Sequence, residues 1–515
     1  MKRWSILFLC VSVVTMPLIG QRRQSADSKR QFTEQFLAIT GATLIDGSGR
    51  ARVRDAVVVV AGDRIAAAGP RRLVAIPARA RVIEARGLVI APGFIDMHNH
   101  SDRGLDADPS AATQVSQGIT TVALGQDGGS AFPVAAYLDK RERSPVALNL
   151  LTFVGHATVR RKVMGEDFKR HATAVEIEQM AALVQSGMRD GAYGLSTGLE
   201  YETGKPATTE EIIALARVAG RHDGIYVSHI RDEADKTMEA LAEAVRIGAA
   251  ARLPVHISHI KLGTVAVWRR APQAAGIVNR ARSRGLDVTA DCYPYTAWLS
   301  TIKVLVPSDR HDDPAAVERG LADVGGASNV TIVECKAHPE YEFKTLAAIA
   351  RDQRKTPVQA YMQIVSDGGA IVVCRSMREE DVRAFYQQPW VMVSSDGGIG
   401  LPHPRAAGSY PRVLGRYVRE QRWLKLEEAI RKMSSLPAAR LGLKERGVIR
   451  RGMKADLVLF DAGNIIDRST FKEPGLISSG VSRVFVNGVE VWRDGTATGS
   501  KPGQVLRHEP RQDRR

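Results

Sequence analysis

The chain has 515 residues, of which 44% are hydrophobic and 25% charged. That composition supplies ample apolar mass for a core and excludes a disordered chain, a collagen-like chain and a small disulfide scaffold. The formal net charge is +16, but the cations are spread out, with some at the ends (Arg22, Arg23, Lys29, Arg30, Arg511, Arg514, Arg515), and no zinc-finger spacing or RNA-binding aromatic motif accompanies them, so the surplus reads as a solvated basic surface with some attraction for anionic envelope surfaces and no nucleic-acid partner is expected.

Residues 1–20 read as a leader: Lys2 and Arg3 are followed by a largely apolar run over 4–19 and the small Gly20. The run is short for a spanning helix and contains Pro17, so export to the periplasm or medium is expected rather than anchoring; no other stretch suits a membrane span. Export would expose Cys292, Cys335 and Cys374 to an oxidising compartment. Three thiols cannot all pair within one chain; a Cys335–Cys374 bridge is open, and unpaired buried thiols are the expectation.

Residues 21–36 are polar. Residues 37–91 then show short β-branched runs separated by glycine turns, and the same texture returns over 447–500. This predicts one small β-domain, a β-sandwich, built from both chain ends. Between them, 92–446 alternates apolar runs with amphipathic helices. The runs are 94–98, 119–124, 147–154, 192–195, 224–229, 254–260, 286–291 and 390–394, with helices such as 209–221 and 234–251 between them. Eight strands alternating with helices predict an α/β fold, a (β/α)8 TIM barrel. The interval at about 300–389 is too long for one crossover and predicts an inserted subdomain before the eighth strand.

His98 and His100 close the first run, His229 the fifth and His259 the sixth, and Asp396 follows the eighth. The C-terminal ends of barrel strands share one face, and active sites sit there. His-x-His on a strand aims both side chains to one side, and neutral imidazole is a good ligand for zinc and similar divalent ions. Four of the twelve histidines at strand ends thus predict a metal site. His156, ending the third run, is either structural or behind the ligands; His256 points to the other barrel face by its odd offset from His259; His222 reads as the end of a helix.

The segment Pro92-Gly93-Phe94-Ile95-Asp96-Met97-His98-Asn99-His100 resembles the opening motif of the amidohydrolase superfamily. Its N-acyl-D-amino-acid deacylase (D-aminoacylase) branch is resembled by Gly194-Leu195-Ser196-Thr197-Gly198-Leu199, Ser228-His229-Ile230-Arg231, Ile257-Ser258-His259-Ile260-Lys261, Asp291-Cys292-Tyr293-Pro294-Tyr295, Ser395-Asp396-Gly397 and His403-Pro404-Arg405. The resemblance runs over about 40–506. It implies a metal-bearing barrel, the two-ended β-domain and an inserted lobe. It implies His98 and His100 as ligands of one metal position, His229 and His259 as ligands of a tighter one, and Asp396 as the catalytic carboxylate. That carboxylate would take a proton from ion-activated water and return it to the leaving amine. Lys261 and Arg405 are the implied receivers of the substrate carboxylate, with Tyr201 and Tyr293 lining the pocket; Arg405 can bind it through two parallel hydrogen bonds. The implied cofactor is zinc, one or two ions per chain, or another divalent metal. The implied partner is a small N-acyl amino acid or peptide-like substrate. A dipeptidase or a hydrolase of another linear or cyclic amide would use the same site, and a silent binding protein would need a defective one.

Four positions depart from that pattern. Asp127, in Leu124-Gly125-Gln126-Asp127-Gly128, stands where the family often has a metal-ligating cysteine; it is either a harder ligand or a loop residue. Glu200 stands where close relatives often have an apolar residue, and is expected to bridge two ions, with a carboxylate facing substrate as the alternative. Trp298 and Leu299 replace small residues and would reshape a subsite if they face the pocket.

Overall fold

A computed structural model describes residues 36–307 and 309–509. The leader expected over 1–20 and the terminal arginines lie outside the described residues.

The eight apolar runs are eight parallel strands: Phe94–Asp96, Ile119–Leu124, Asn149–Thr152 continued by Val154–Gly155, Gly194–Gly198, Ile225–His229, Val255–Ile257, Val288–Cys292 and Val391–Val393. Most are buried throughout, which is why they read as continuous apolar runs rather than alternating ones. The third strand is interrupted at Phe153: its first half pairs with the second strand and its second half with the fourth. The ring closes where Asp396 N donates to His98 O at 3.0 Å and His100 N to Gly397 O at 2.7 Å. This closure brings the first and eighth strand ends, with their histidines and Asp396, together.

The outer helices follow their sequence signals. Thr208 caps Thr209–Arg221 by accepting from Glu211 N, and Ile212, Leu215, Ala216 and Ala219 bury one face at helical spacing. The helix expected over 234–251 starts later, as Thr237–Ala251, because the Asp232 carboxylate accepts from Ala234 N and Lys236 N and holds those residues in a turn.

The subdomain expected over 300–389 needs its boundaries moved. A three-stranded antiparallel sheet of Trp298–Thr301, Val330–Glu334 and Ile371–Cys374 carries three helices, Pro314–Asp323, Leu346–Asp352 and Pro357–Ser366. The helix Glu379–Tyr386 instead packs on Ala271–Ser283 and the barrel strands, as a helix of the barrel itself. Cys292, Cys335 and Cys374 are all buried and unpaired. In the sheet register Val330 lies opposite Cys374 and Ile371 opposite Glu334, which puts Cys335 and Cys374 at opposite ends of the pair.

The chain ends form one nine-stranded sheet, in which Leu457–Phe460 pairs with Val89–Pro92. Ile39, Val58 and Ile90 share a core with Leu457, Leu459 and Phe485, so the two halves close over common apolar contacts as a small sandwich. The last residues leave this domain. Val505 bridges Leu150, Leu150 N donates to Gln504 O and Leu506 N to Leu150 O, so the tail fills the lower gap between the third and fourth barrel strands. Among the described residues no helix is long and apolar enough to cross a membrane.

Candidate metal centre

The strand ends converge as four imidazoles and several carboxylates. Asp127 sits among three of the histidines: its Oδ1 is 3.4 Å from His98 Nε2 and 3.4 Å from His259 Nε2, and its Oδ2 is 3.4 Å from His100 Nε2. Asp396 Oδ1 lies 3.6 Å from His98 Nε2 and 3.3 Å from His100 Nε2. His229 Nδ1 is 3.1 Å from His259 Nε2. The loop carrying Asp127 lies flush on the fourth strand, where a Cβ at Gly198 would come within 2.3 Å of Asp127 O. Asp127, His259 and Asp396 all have left-handed backbones, with φ of 55°, 35° and 45°. Such strain is held only where surrounding structure over-determines it, and it collects at functional sites.

The donor set fits a divalent ion. His98 is fully buried, and neither ring nitrogen has a hydrogen-bond partner; Asp127 Oδ1 is also buried without one. Each such group costs ~1–3 kcal/mol if left unsatisfied, and a cation between them would satisfy His98 Nε2 and Asp127 Oδ1 together. His98, Asp127, His259 and Asp396 offer ligand atoms within 4.8 Å of one another. The local field is that of a cation site. Burial disfavours charge on His100, yet Asp127 and Asp396 draw it up to about 9. Burial and Lys261 oppose charge on His259, yet Glu233, Asp396 and Asp127 raise it to about 10. Burial likewise works against the anions, but His98, His100 and His259 hold Asp127 well below the usual carboxylate range, and Arg405 with His259, His100 and His98 does the same for Asp396.

A second group, His229, Glu233 and His259, also lies within ligand spacing. Lys261 borders it: its Nζ is 2.5 Å from Glu233 Oε2 and 2.8 Å from His259 Nδ1. Glu233 is absent from the residues singled out in the sequence. Its one signal is an acidic side chain four residues after the strand-end His229, a spacing shared by many surface acids.

Glu200, expected to bridge two ions, stands beside His229 and outside both ligand groups. Its Oε2 is 2.9 Å from His229 Nε2 and its Oε1 accepts from Glu233 N. The reason is its place: the loop after the fourth strand turns it toward His229, while Asp127 occupies the position between the histidines.

A cavity of about 330 Å³ opens over the centre, and His100, Asp127, His229, His259, Lys261, Asp396, Arg405, Glu200 and Tyr201 all reach it. Arg405 starts the helix Arg405–Arg412, set by His403, whose Nδ1 accepts from Arg405 N and whose Nε2 lies 3.1 Å from Ala297 O. Arg405 Nη1 is 2.8 Å from Asp396 Oδ2, while its Nε is buried and has no partner. Tyr201 Oη lies 3.2 Å from His229 Nδ1; burial, then the surrounding carboxylates, keep it protonated. Tyr293 is not on the cavity wall, contrary to expectation. It is buried beneath Arg405, whose guanidinium stands 4.8 Å over its ring, and its hydroxyl points to Met377 Sδ. Trp298 and Leu299 do line the cavity.

The remaining polar residues support the ligands from below. Asp291 Oδ1 accepts from His259 N, and its Oδ2 is 2.7 Å from His256 Nε2. Asp96 accepts from Asn99 Nδ2 and Ser395 N, tying the first strand end to the eighth; burial pushes it up to about 6 against those hydrogen bonds. His156 is buried at 2.8 Å from Glu211 Oε1, which also pairs with Arg160, and His222 ends the helix Thr209–Arg221.

Known proteins share this architecture. Residues 81–492 match the amidohydrolase family. D-aminoacylase of Alcaligenes xylosoxydans xylosoxydans is 37% identical over 495 residues, covering 91% of this chain and 97% of that one. The crystal structure of N-acyl-D-glutamate deacylase from Bordetella bronchiseptica, complexed with zinc and a phosphonate mimic of the tetrahedral intermediate, is 36% identical with a TM-score of 0.83, covering 92% of this chain and 100% of that one. A D-aminoacylase structure concerned with a binuclear metal centre is 34% identical with a TM-score of 0.82, over 92% and 99% of the two chains. With the strand-end histidines, the two-ended β-domain and the inserted lobe, these likenesses over nearly the whole chain mean that the chain belongs to the amidohydrolase family, in its N-acyl-D-amino-acid deacylase branch.

Proposed function

We propose that the chain hydrolyses the amide bond of N-acyl-D-amino acids, releasing a carboxylate and a D-amino acid, with zinc as the cofactor. The observation that carries this is one cavity that joins unsatisfied metal-type donors to two buried cations, Lys261 and Arg405. The zinc and the D-configuration come from the relatives' own ligand and substrates. His98, His100, Asp127, His229 and His259 would hold one or two ions. A bound divalent ion supplies Lewis acidity to the acyl carbonyl and acidifies the attacking water.

The chain's own residues then have separable tasks. Asp396 is an anion at any working pH and accepts the proton of the attacking water, then returns it to the leaving nitrogen. Arg405, on the cavity wall, offers its guanidinium to the substrate carboxylate. Sharing the guanidinium loosens its hold on Asp396, so substrate binding raises the basicity of the proton acceptor when it is needed. Lys261, fixed by Glu233, gives the carboxylate a second point charge. Tyr201 presents a protonated hydroxyl on the wall.

The test is turnover by zinc-reconstituted protein on N-acetyl-D-amino acids, their L-enantiomers and L-dipeptides. Amine release from the D-series alone is expected. Cleavage of L-dipeptides with none of N-acyl-D-substrates would establish a dipeptidase instead, and tight zinc without turnover on any amide a silent binding protein. We also propose export, supported by the charged-then-apolar residues 1–20; recovery of the chain only in the cytoplasmic fraction would refute it.

A further inference from the structure

We infer that the outer edge of the β-domain, over 71–86, docks on an anionic lipid bilayer. After the strand Arg64–Pro70 the chain makes one turn, Arg71–Leu73, and crosses back to the strand Arg81–Glu84. Val74 and Ala80 pack down against Ala38, Val57 and Val59, which turns their neighbours outward. Leu73 is 66% exposed, Val82 51% and Ile76 36%. Seven large hydrophobic side chains are this exposed among the described residues, and three fall within this short stretch; clustering of that kind marks an interaction surface.

The cations are interleaved with them. Arg71, Arg72, Arg79, Arg81 and Arg86 are all exposed. Arg81 has a distant partner, Glu490 at 3.9 Å. Among the described residues Arg71, Arg72 and Arg79 form no ion pair. The one acid between 71 and 86, Glu84, is engaged by Thr40 Oγ1 at 2.7 Å. Apolar side chains flanked by unpaired arginines are the composition that sinks into a headgroup layer while pairing with lipid phosphates.

Chain connectivity adds to the same edge. The strand Arg81–Glu84 pairs in parallel with Phe36–Leu44, with Arg81 beside Leu37. Phe36–Leu44 opens the described chain, so the patch lies beside the first strand of the domain.

Other occupants fit less well. A second copy would set the same arginines against one another. Arginine and Pro77 protect an open sheet edge from pairing, but edge protection does not account for exposed Leu73 and Ile76. A nucleic acid would use the arginines and leave the apolar side chains in water.

The test is flotation of the full chain with phosphatidylcholine vesicles, with and without phosphatidylglycerol, at low and high salt. Wild type is expected on the anionic vesicles at low salt only. Replacing Arg71→Gln, Arg72→Gln and Arg79→Gln together is expected to cut partitioning about a hundredfold, and Leu73→Ser with Ile76→Ser about tenfold. Unchanged melting temperature and zinc content show that both variants fold. Equal partitioning of wild type and variants, equal binding to neutral vesicles, binding to an RNA oligonucleotide but not vesicles, or a concentration-dependent dimer that the variants abolish would each overturn the inference.

Discussion

Asp127 is the residue that most sharply tests the proposed metal centre. It sets a hard carboxylate in the middle of three imidazoles. Removing it takes away the anion that draws a cation to His98, so Asp127→Ala is expected to weaken zinc binding by at least about a hundredfold, and Asp127→Cys to restore it; titration against a competing chelator decides, and unaltered affinity in Asp127→Ala would remove the side chain from the ligand set. The same carboxylates set a pH signature. His100 and His259 stand at about 9 and about 10 in the folded chain, above the roughly 6.5 of an unfolded imidazole. Raised values mean that the folded state binds the extra protons. Their stabilisation is therefore complete below pH ~6.5 and is lost as pH rises toward the folded values. For Asp127 and Asp396 the folded values are depressed, so the stabilisation is present above pH ~4 and is lost on acidification. Chelator-treated protein should melt progressively lower as pH is raised from about 6.5 to about 9. Zinc-loaded protein, with its imidazoles neutral and ligated, should not; a metal-free melting curve that climbs over this window would contradict the assignment. The strand-end histidines and Asp396 were legible from sequence because barrel geometry places every such end on one face. Glu233 and the packing of Tyr293 under Arg405 were not, since each depends on side-chain directions in loops.

At the scale of elements, the inserted sheet gives the pocket its shape. The strand Trp298–Thr301 leaves the barrel and pairs with Ile371–Cys374, and Trp298, Leu299 and Ile371 all border the cavity. Trp298 is fixed there by its Nε1, which donates to Ser376 Oγ at 2.8 Å. A large rigid side chain at this place excludes bulk from the adjoining subsite. Trp298→Ala should raise kcat/KM for N-acetyl-D-tryptophan relative to N-acetyl-D-alanine by about tenfold, the range a changed apolar contact supplies; an unchanged ratio would place the substrate side chain elsewhere. Sequence pattern revealed that an insertion exists but not where it ends. The helix Glu379–Tyr386 opens with Glu379, Glu380 and Asp381, and its buried face combines Val382, Phe385 and Tyr386 with the charged Asp381, a weak apolar pattern. The tail over 503–508 carried no strand signal either, because its backbone pairs with Leu150 and Val146 whatever its side chains are.

The molecule as a whole is joined through its chain ends. The β-domain contains strands from both sides of the barrel, so neither half has a complete core until the intervening chain has folded. The connection to the barrel is a buried polar cluster. Asp456 Oδ1 accepts from Asn487 N at 2.7 Å, and its Oδ2 accepts from Arg446 and from Asn149 Nδ2. Asn149 begins the third barrel strand, and its Oδ1 accepts from Asn487 Nδ2 and Gln504 N. One carboxylate thus ties the barrel, the β-domain and the tail together, all at the beginning of a strand and away from the strand ends that carry the histidines. Wild-type protein should therefore unfold in one calorimetric transition that moves upward with zinc. Asp456→Ala leaves Arg446 buried without its counter-charge, a loss of about 3–5 kcal/mol. The cost falls on the joint, so the β-domain should come off in a separate, earlier transition insensitive to zinc, while the barrel transition still responds to it. Zinc affinity and kcat/KM at low temperature should stay within about twofold, since substitutions with no shared partners act independently. Two transitions already present in wild type, or a zinc site lost in Asp456→Ala, would show that the domains are coupled by some other contact than this one.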